Sequence, residues 1–309
     1  MTRAGMVAFA GKPNAGKSTL MNRILGEKLS IVSHKPQTTR DRVVGLRTTD
    51  TTQMVMLDTP GLLDPAYPLQ EAMKDTALRV LAEADVIVYV ADATQGDPPP
   101  LEQAAGLGRP PRATVIVALN KLDLLRPGRK GGATGSAAAE TREPGSAQKY
   151  REPSLVLTVS ALTGEGVQDL IAGIEQLLPE GPFLYPADEI STQPVRFFAA
   201  ELVRETVLEQ LRDEIPYSIA CEIEEFREDR SPHFIRAVIY VERESQKGIV
   251  VGAKGAAIKK IGEQSRKKIE SFIGERVYLE LHVKVLPNWR RDRAALSRFG
   301  YETSKGRTS

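Results

Sequence analysis

Gly11-Lys12-Pro13-Asn14-Ala15-Gly16-Lys17-Ser18 fits the pattern GxxxxGK[ST]. Its flanks decide the reading. Met6-Val7-Ala8-Phe9-Ala10, just before it, has the composition of a short buried strand. Just after it, Leu20, Ile24 and Leu25 recur at helical spacing, so a helix is predicted over Lys17–Leu29. Strand, glycine-rich loop and helix together make a phosphate cradle. The glycines let several backbone N–H groups converge on one anion, and the helix N-terminus adds its partial positive charge. Lys17 is expected to reach the β- and γ-phosphates, with the Ser18 hydroxyl on Mg²⁺ and Thr19 beside it.

Outward from this loop, strand and helix alternate. Strands are predicted at Arg42–Thr48, Gln53–Asp58, Asp85–Ala91, Thr114–Asn120 and Leu155–Ser160, and helices at Leu69–Ala84 and Gly166–Leu178. Several strands are near-continuous Val/Ile/Leu runs, as in sheets covered on both faces. The four residues Thr49 to Thr52 are short enough for a hairpin, so the expected fold is a doubly wound α/β sheet, mostly parallel with one antiparallel edge. Prolines at 98–100 and 110–111 leave room only for a short helix between them. Residues 126–153 are rich in Gly, Ala, Ser, Arg and Glu and read as a flexible insertion around a short Ala-rich helix at Ser136–Arg142.

Three further motifs stand at strand ends, in order. Asp58-Thr59-Pro60-Gly61 offers a carboxylate to Mg²⁺ through water and a Gly61 N–H to a γ-phosphate. Asn120-Lys121-Leu122-Asp123 fits NKxD. Its Asp can accept both N1–H and N2–H of guanine, donors that adenine lacks, while Asn120 braces the loop and the Lys121 stem covers a ring face. Ser160-Ala161-Leu162 completes a guanine pocket, the Ala161 N–H facing the base oxygen. Between the first two motifs lies Pro36-Gln37-Thr38-Thr39-Arg40. A threonine there that binds Mg²⁺ only beside a γ-phosphate makes a switch, Thr39 being the first choice and Thr38 the second. Lys17, Thr39 and Gly61 are the expected catalytic groups. Leu62 stands where Ras-like proteins carry a water-orienting Gln, so slow intrinsic turnover is expected. Asn14 has two readings, a turn former or a ligand of K⁺ beside the phosphates.

Prolines at 179, 182, 186 and 194 mark residues 181–194 as a linker after a nucleotide-binding domain of residues 1–180. The remainder, 195–309, reads helix-strand-strand-helix-helix-strand. Within it Gly252-Ala253-Lys254-Gly255 is a GxxG loop between two apolar helical stretches, the second carrying Lys259, Lys260, Arg266, Lys267 and Lys268. From Lys247 onward 15 Lys and Arg face 6 acids, a net +9 in a chain of total charge +2, leaving −7 for the rest. A basic GxxG unit of this order points to a KH fold that admits single-stranded nucleic acid to its backbone. Arg290 and Arg291 extend that charge, and Trp289 either stacks a base or packs the last strand. Cys221 reads as a small buried hydrophobe, and the three histidines fit no metal spacing. The sequence has no apolar run of spanning length and no signal-peptide pattern, so a cytoplasmic location is expected.

Taken together, the phosphate loop, Pro36–Arg40, Asp58–Leu62, Asn120–Asp123, Val250–Gly255 and Leu286-Pro287-Asn288-Trp289-Arg290-Arg291-Asp292 resemble the Era-type GTPases over nearly the whole chain. The resemblance implies a GTPase, with GTP/GDP and Mg²⁺ as cofactors, whose C-terminal type II KH domain binds the 3′ end of 16S rRNA. It implies a role on the 30S ribosomal subunit precursor, action as a monomer and a peripheral contact with the inner face of the cell membrane. The family has an ordered amphipathic helix where this chain has the low-complexity stretch 126–153. Two other classes compete: an RNA-binding factor with a vestigial nucleotide site, which the intact Lys17, Ser18, Asp58 and Asp123 argue against, and a GTPase serving RNA modification, for which no reactive motif surrounds Cys221.

Overall fold

The computed structural model describes residues 1–125, 155–212, 214–229 and 231–301. The insertion and the Ala-rich helix expected within 126–153 lie outside them. The chain divides into two compact units, one of Met1–Pro65 with Met73–Thr192, the other of Ala66–Ala72 with the chain from Gln193 onward.

The first unit is built on six strands, β1 (Arg3–Ala10), β2 (Val43–Thr48), β3 (Thr52–Asp58), β4 (Val86–Asp92), β5 (Thr114–Asn120) and β6 (Leu155–Thr158). They lie in the order β2-β3-β1-β4-β5-β6. All neighbours pair in parallel except β2 and β3, whose antiparallel register sets Val43 against Asp58. Every residue of β3 is buried, as expected of a strand covered on both faces.

Among the described residues the helices along this part of the chain are α1 (Lys17–Leu25), α2 (Pro68–Glu83, of which Met73 onward belongs to this unit), α3 (Leu101–Ala105), α4 (Leu122–Leu125) and α5 (Val167–Leu177). Alternate residues of the strands, Ala8, Val55, Ile87, Tyr89 and Val117 among them, meet Ala77, Val80 and Leu81 of α2 and Leu101 of α3 in one core. α1 and α5 pack on other residues of the sheet and on each other. The helix expected to run to Leu29 stops at Leu25, because Gly26 turns into the left-handed region with φ 79° and its N–H closes on the Asn22 carbonyl.

Residues 181–192 are not a free tether. The fully buried Gln53 accepts from the N–H groups of Leu184 and Tyr185 at 2.7 and 2.9 Å and donates to the Tyr185 carbonyl at 2.8 Å. Ser191 Oγ donates to the Val44 carbonyl at 2.6 Å. The segment therefore runs along the antiparallel edge and satisfies backbone groups that an edge strand otherwise leaves open.

The second unit contains α6 (Val195–Gln210), α7 (Ile215–Ser218), β7 (Ala220–Arg227), β8 (His233–Val241), α8 (Glu244–Val251), α9 (Ala256–Ile273), β9 (Val277–Val285) and α10 (Arg293–Arg298). β8 is central, antiparallel to β7 and parallel to β9. Val203 and Val207 of α6, Ile261 and Ile269 of α9 and the inward residues Ile235, Ala237 and Ile239 of β8 form its core. Trp289 is fully buried, donates from Nε1 to the Ser218 carbonyl at 2.8 Å and meets Phe299 edge-on at 5.3 Å. Of its two expected roles it takes packing, not base stacking.

Candidate nucleotide site and nucleic-acid interface

Four loops meet at the C-terminal ends of β1, β3, β5 and β6, where the sheet order changes direction and ligands of open α/β folds bind. The first is the phosphate loop. Gly16 holds φ 95°, and a Cβ there would stand 2.3 Å from Asn120 Nδ2, so only glycine brings this turn so close to the NKxD loop. Gly11, Lys12, Pro13, Asn14 and Ala15 complete the cradle, Asn14 with φ 61°. Lys17 folds back into it, donating to the carbonyls of Gly11 and Lys12 at 3.2 and 3.1 Å. Burial pushes its ammonium down to about 8 against the pull of Asp58. Thr19, next along α1, lines a cavity of about 60 Å³ with Lys17, Ser18, Thr39 and Gly61.

Residues far apart in sequence converge beside Lys17. Ser18 Oγ donates to Asp58 Oδ2 at 2.6 Å, Thr39 Oγ1 reaches the same oxygen at 3.2 Å, and the two hydroxyls are 3.0 Å apart. Burial drives the Asp58 carboxyl above its usual range, opposed by Lys17 and by these hydroxyls. The second oxygen, Oδ1, is buried without a hydrogen-bond partner. Two hydroxyls and a carboxylate with an open oxygen are hard donors that fit Mg²⁺. Thr38 does not join them, since its hydroxyl donates to the Lys35 carbonyl at 2.6 Å.

Thr59 faces away from the cradle and donates to the Phe9 carbonyl at 2.7 Å, which ties the Asp58–Gly61 turn to β1. Its expected contact with nucleotide is thereby limited to its backbone. Pro60 is buried, and Gly61 lies against Pro13, where a Cβ would come within 2.7 Å of the ring. Leu62 N–H donates to the Gly11 carbonyl at 2.9 Å and its side chain is buried. Asn14 Nδ2 donates to the His34 carbonyl at 2.9 Å, which joins the phosphate loop to the stretch leading to Thr39.

The base side is equally cross-linked. Asn120 donates from Nδ2 to the Ala15 carbonyl at 2.8 Å and accepts the Ala161 N–H at 2.9 Å. The Ala161 N–H, expected to face the base oxygen, is engaged with Asn120. Ser160 Oγ donates to Asp123 Oδ1 at 2.5 Å and accepts the Thr163 N–H at 3.1 Å. Lys121, with φ 69°, sends Nζ to Asp92 at 2.7 Å. Leu162 is 67% exposed, so its side chain does not close the pocket. Sequence reasoning overlooked Asn22, which accepts the N–H groups of Leu29 and Ser30 at 3.1 and 2.9 Å and so shapes the chain entering the Thr39 segment.

In the second unit the GxxG turn joins α8 to α9. Gly252, Lys254 and Gly255 take φ 72°, 51° and 79°, and a Cβ on Gly252 would lie 2.7 Å from that of Ala257. Ala253, Lys254, Lys259, Lys260 and Arg291 are exposed. Lys268 is paired with Glu205 and Glu209 at 2.9 and 2.7 Å and binds α9 to α6. Arg290 departs from its expected role: its guanidinium meets Glu242 at 2.5 Å and lies over the Tyr67 ring at 5.4 Å. An arginine committed to a carboxylate that is only 11% exposed is a poor phosphate contact, because leaving would strand a buried charge.

Comparison with known proteins agrees with this geometry. A family model described as 50S ribosome-binding GTPase matches residues 6–121, and a KH domain model matches residues 214–290. GTPase Era of Geobacter metallireducens is 40% identical over 302 residues, 97% of this chain and 98% of that protein. GTPase Era of Thermotoga maritima is 40% identical over 289 residues, 93% of each. A solved structure of Era with MgGDPNP and nucleotides 1506–1542 of 16S ribosomal RNA superposes with a TM-score of 0.87 at 39% identity, covering 97% of this chain and 99% of that one. An Aquifex aeolicus Era variant bound to GDP and AlF4⁻ gives 0.86 at 38%, with the same coverage. Identity at this level, sustained through both units, makes this chain a member of the Era family of GTPases.

Proposed function

We propose that the chain binds GTP across the four loops, hydrolyses it to GDP and phosphate, and uses the nucleotide state to gate binding of its KH unit to the 3′ end of 16S rRNA during assembly of the 30S subunit. The observation that carries this reading is the meeting of Ser18, Thr39 and Asp58 within 3.2 Å, three motifs joined at one point beside Lys17. Lys17 supplies positive charge to the β- and γ-phosphates, and the Gly61 N–H holds a γ-oxygen. Mg²⁺, held by Ser18, Thr39 and Asp58, would neutralise charge on the same phosphates. Beside a γ-phosphate Thr39 would gain a Mg²⁺ contact on top of its bonds to Ser18 and Asp58, so loss of that phosphate would loosen its segment. Asp123, steadied by Ser160, selects guanine.

The relative solved with MgGDPNP and a 16S fragment supports the cofactor and RNA assignments. The exposed GxxG loop with Lys254, Lys259 and Lys260 offers the backbone and charge for a single strand. With Leu62 in place of a polar side chain, intrinsic turnover is slow. Asn14, already in contact with the Thr39 segment, is the group to hold K⁺ at the phosphates.

The reading is tested by hydrolysis assays on the full chain. GTP and not ATP should turn over, with Mg²⁺ required and Lys17→Ala inactive. Equal turnover of ATP would remove the guanine assignment. Equal rates in matched Na⁺ and K⁺ buffers would remove K⁺ without touching the rest.

A further inference from the structure

Arg23 lies in the last turn of α1, the helix that starts at the phosphate cradle. Its guanidinium donates from Nε to the Ala161 carbonyl at 3.1 Å and from Nη2 to the Leu162 carbonyl. Those adjacent carbonyls belong to the loop on the base side of the site. Ser160 and Ala161 are buried, but beyond them side chains anchor this loop little: Leu162 is 67% exposed, and Gly164 and Gly166 adopt φ 90° and 71°. Several of its bonds are internal, such as Gly164 N–H to the Ser160 carbonyl at 2.8 Å and Ser160 N–H to the Glu165 carbonyl at 2.8 Å. Such bonds give the loop a shape, and its one other tie toward the phosphate loop named above is the Ala161 N–H on Asn120, which in turn donates to the Ala15 carbonyl. A planar guanidinium on two consecutive carbonyls fixes both distance and orientation, and a lysine, a single point charge, cannot.

We propose that Arg23 is a positioning residue for base recognition, tethering the Ser160–Leu162 loop to α1 so that Ser160 holds Asp123 in place on the base side of the site. The link from tether to base is short. Ser160 precedes the two carbonyls and donates to Asp123 at 2.5 Å, so a loop that drifts carries the Asp123 carboxylate with it. The inference rests on the guanine-nucleotide reading of the site.

The test uses the full chain and a fluorescent GDP derivative, with competition by GTP and by ITP, which lacks only the N2 amino group that Asp123 accepts. In Arg23→Met, loss of the charge-assisted bonds should speed GDP release by about tenfold. The preference for GTP over ITP should shrink with it, because Asp123 is no longer held to the amino group. Arg23→Lys should restore part of the preference but not all, and it carries the test if the Met variant fails to fold. A purely structural role would lower the thermal midpoint and leave the GTP-to-ITP ratio unchanged, which would overturn the proposal. So would an Arg23→Lys protein indistinguishable from the parent. A parent protein with no preference for GTP over ITP would instead bring down the guanine reading on which the proposal stands.

Discussion

Ser18 Oγ donates to Asp58 Oδ2 at 2.6 Å, so the first residues of α1 and the last residue of β3 are joined before any cofactor is considered. Ser18→Ala removes this bond and one hard donor. Magnesium should then tighten GDP binding at least tenfold less than in the parent, a loss of about 1.4 kcal/mol or more. Titration of GDP with and without Mg²⁺ checks this, and an unchanged Mg²⁺ effect would move the metal away from Ser18.

Lys17 gives a pH signature. Burial lowers its folded pKa to about 8 from an ordinary 10.5, so between these values the unfolded chain holds the extra proton. The cost of burying the charged form is full below pH 8 and is relieved as pH rises toward 10.5. Phosphates favour the ammonium, so above pH 8 nucleotide binding must take up a proton and weaken as pH rises. Calorimetry in two buffers of different ionisation enthalpy should show uptake at pH 9 and much less at pH 7. No uptake at pH 9 would mean that Lys17 does not meet the phosphates.

Asp123→Asn replaces a double acceptor by a group with one acceptor and a donor. GTP affinity should fall by about a hundredfold, since a guanine donor is left unpaired against an amide N–H. Xanthine, which carries an oxygen in place of the N2 amino group, should gain relative to guanine. Competition between GTP and XTP reads the exchange.

Of the basic candidates in the KH unit, Lys254 and Arg290 should behave oppositely. Lys254 is exposed in the GxxG turn, so Lys254→Ala should weaken RNA binding and lower the salt slope by about 1. Arg290→Ala leaves Glu242 buried without its partner and should lower the thermal midpoint while changing the salt slope little. Salt titrations of RNA affinity together with thermal melts separate the two.

Much of this was legible in the sequence because local chemistry dictates it. The strand over Thr114–Asn120 has the predicted bounds and ends on the first residue of NKxD. The phosphate loop, Asp58 and NKxD stand at strand ends because the sheet must bury its apolar runs and leave the turns free. What was not legible depends on long-range partners. Nothing near Arg23 marks the carbonyls 138 and 139 residues away that it holds. Arg290 reads as free charge until Glu242, 48 residues earlier, is seen beside it. The prolines of 181–194 signal a break in regular structure, but not that Gln53 pins the segment to the sheet.

The central claim is that nucleotide state gates RNA binding, and one measurement reaches it directly. The affinity of the full chain for a short RNA matching the 16S 3′ end is determined with a non-hydrolysable GTP analogue and with GDP, at one fixed salt concentration. The account predicts tighter binding with the analogue. Equal affinity in the two states would contradict it and leave a GTPase and an RNA binder uncoupled on one chain.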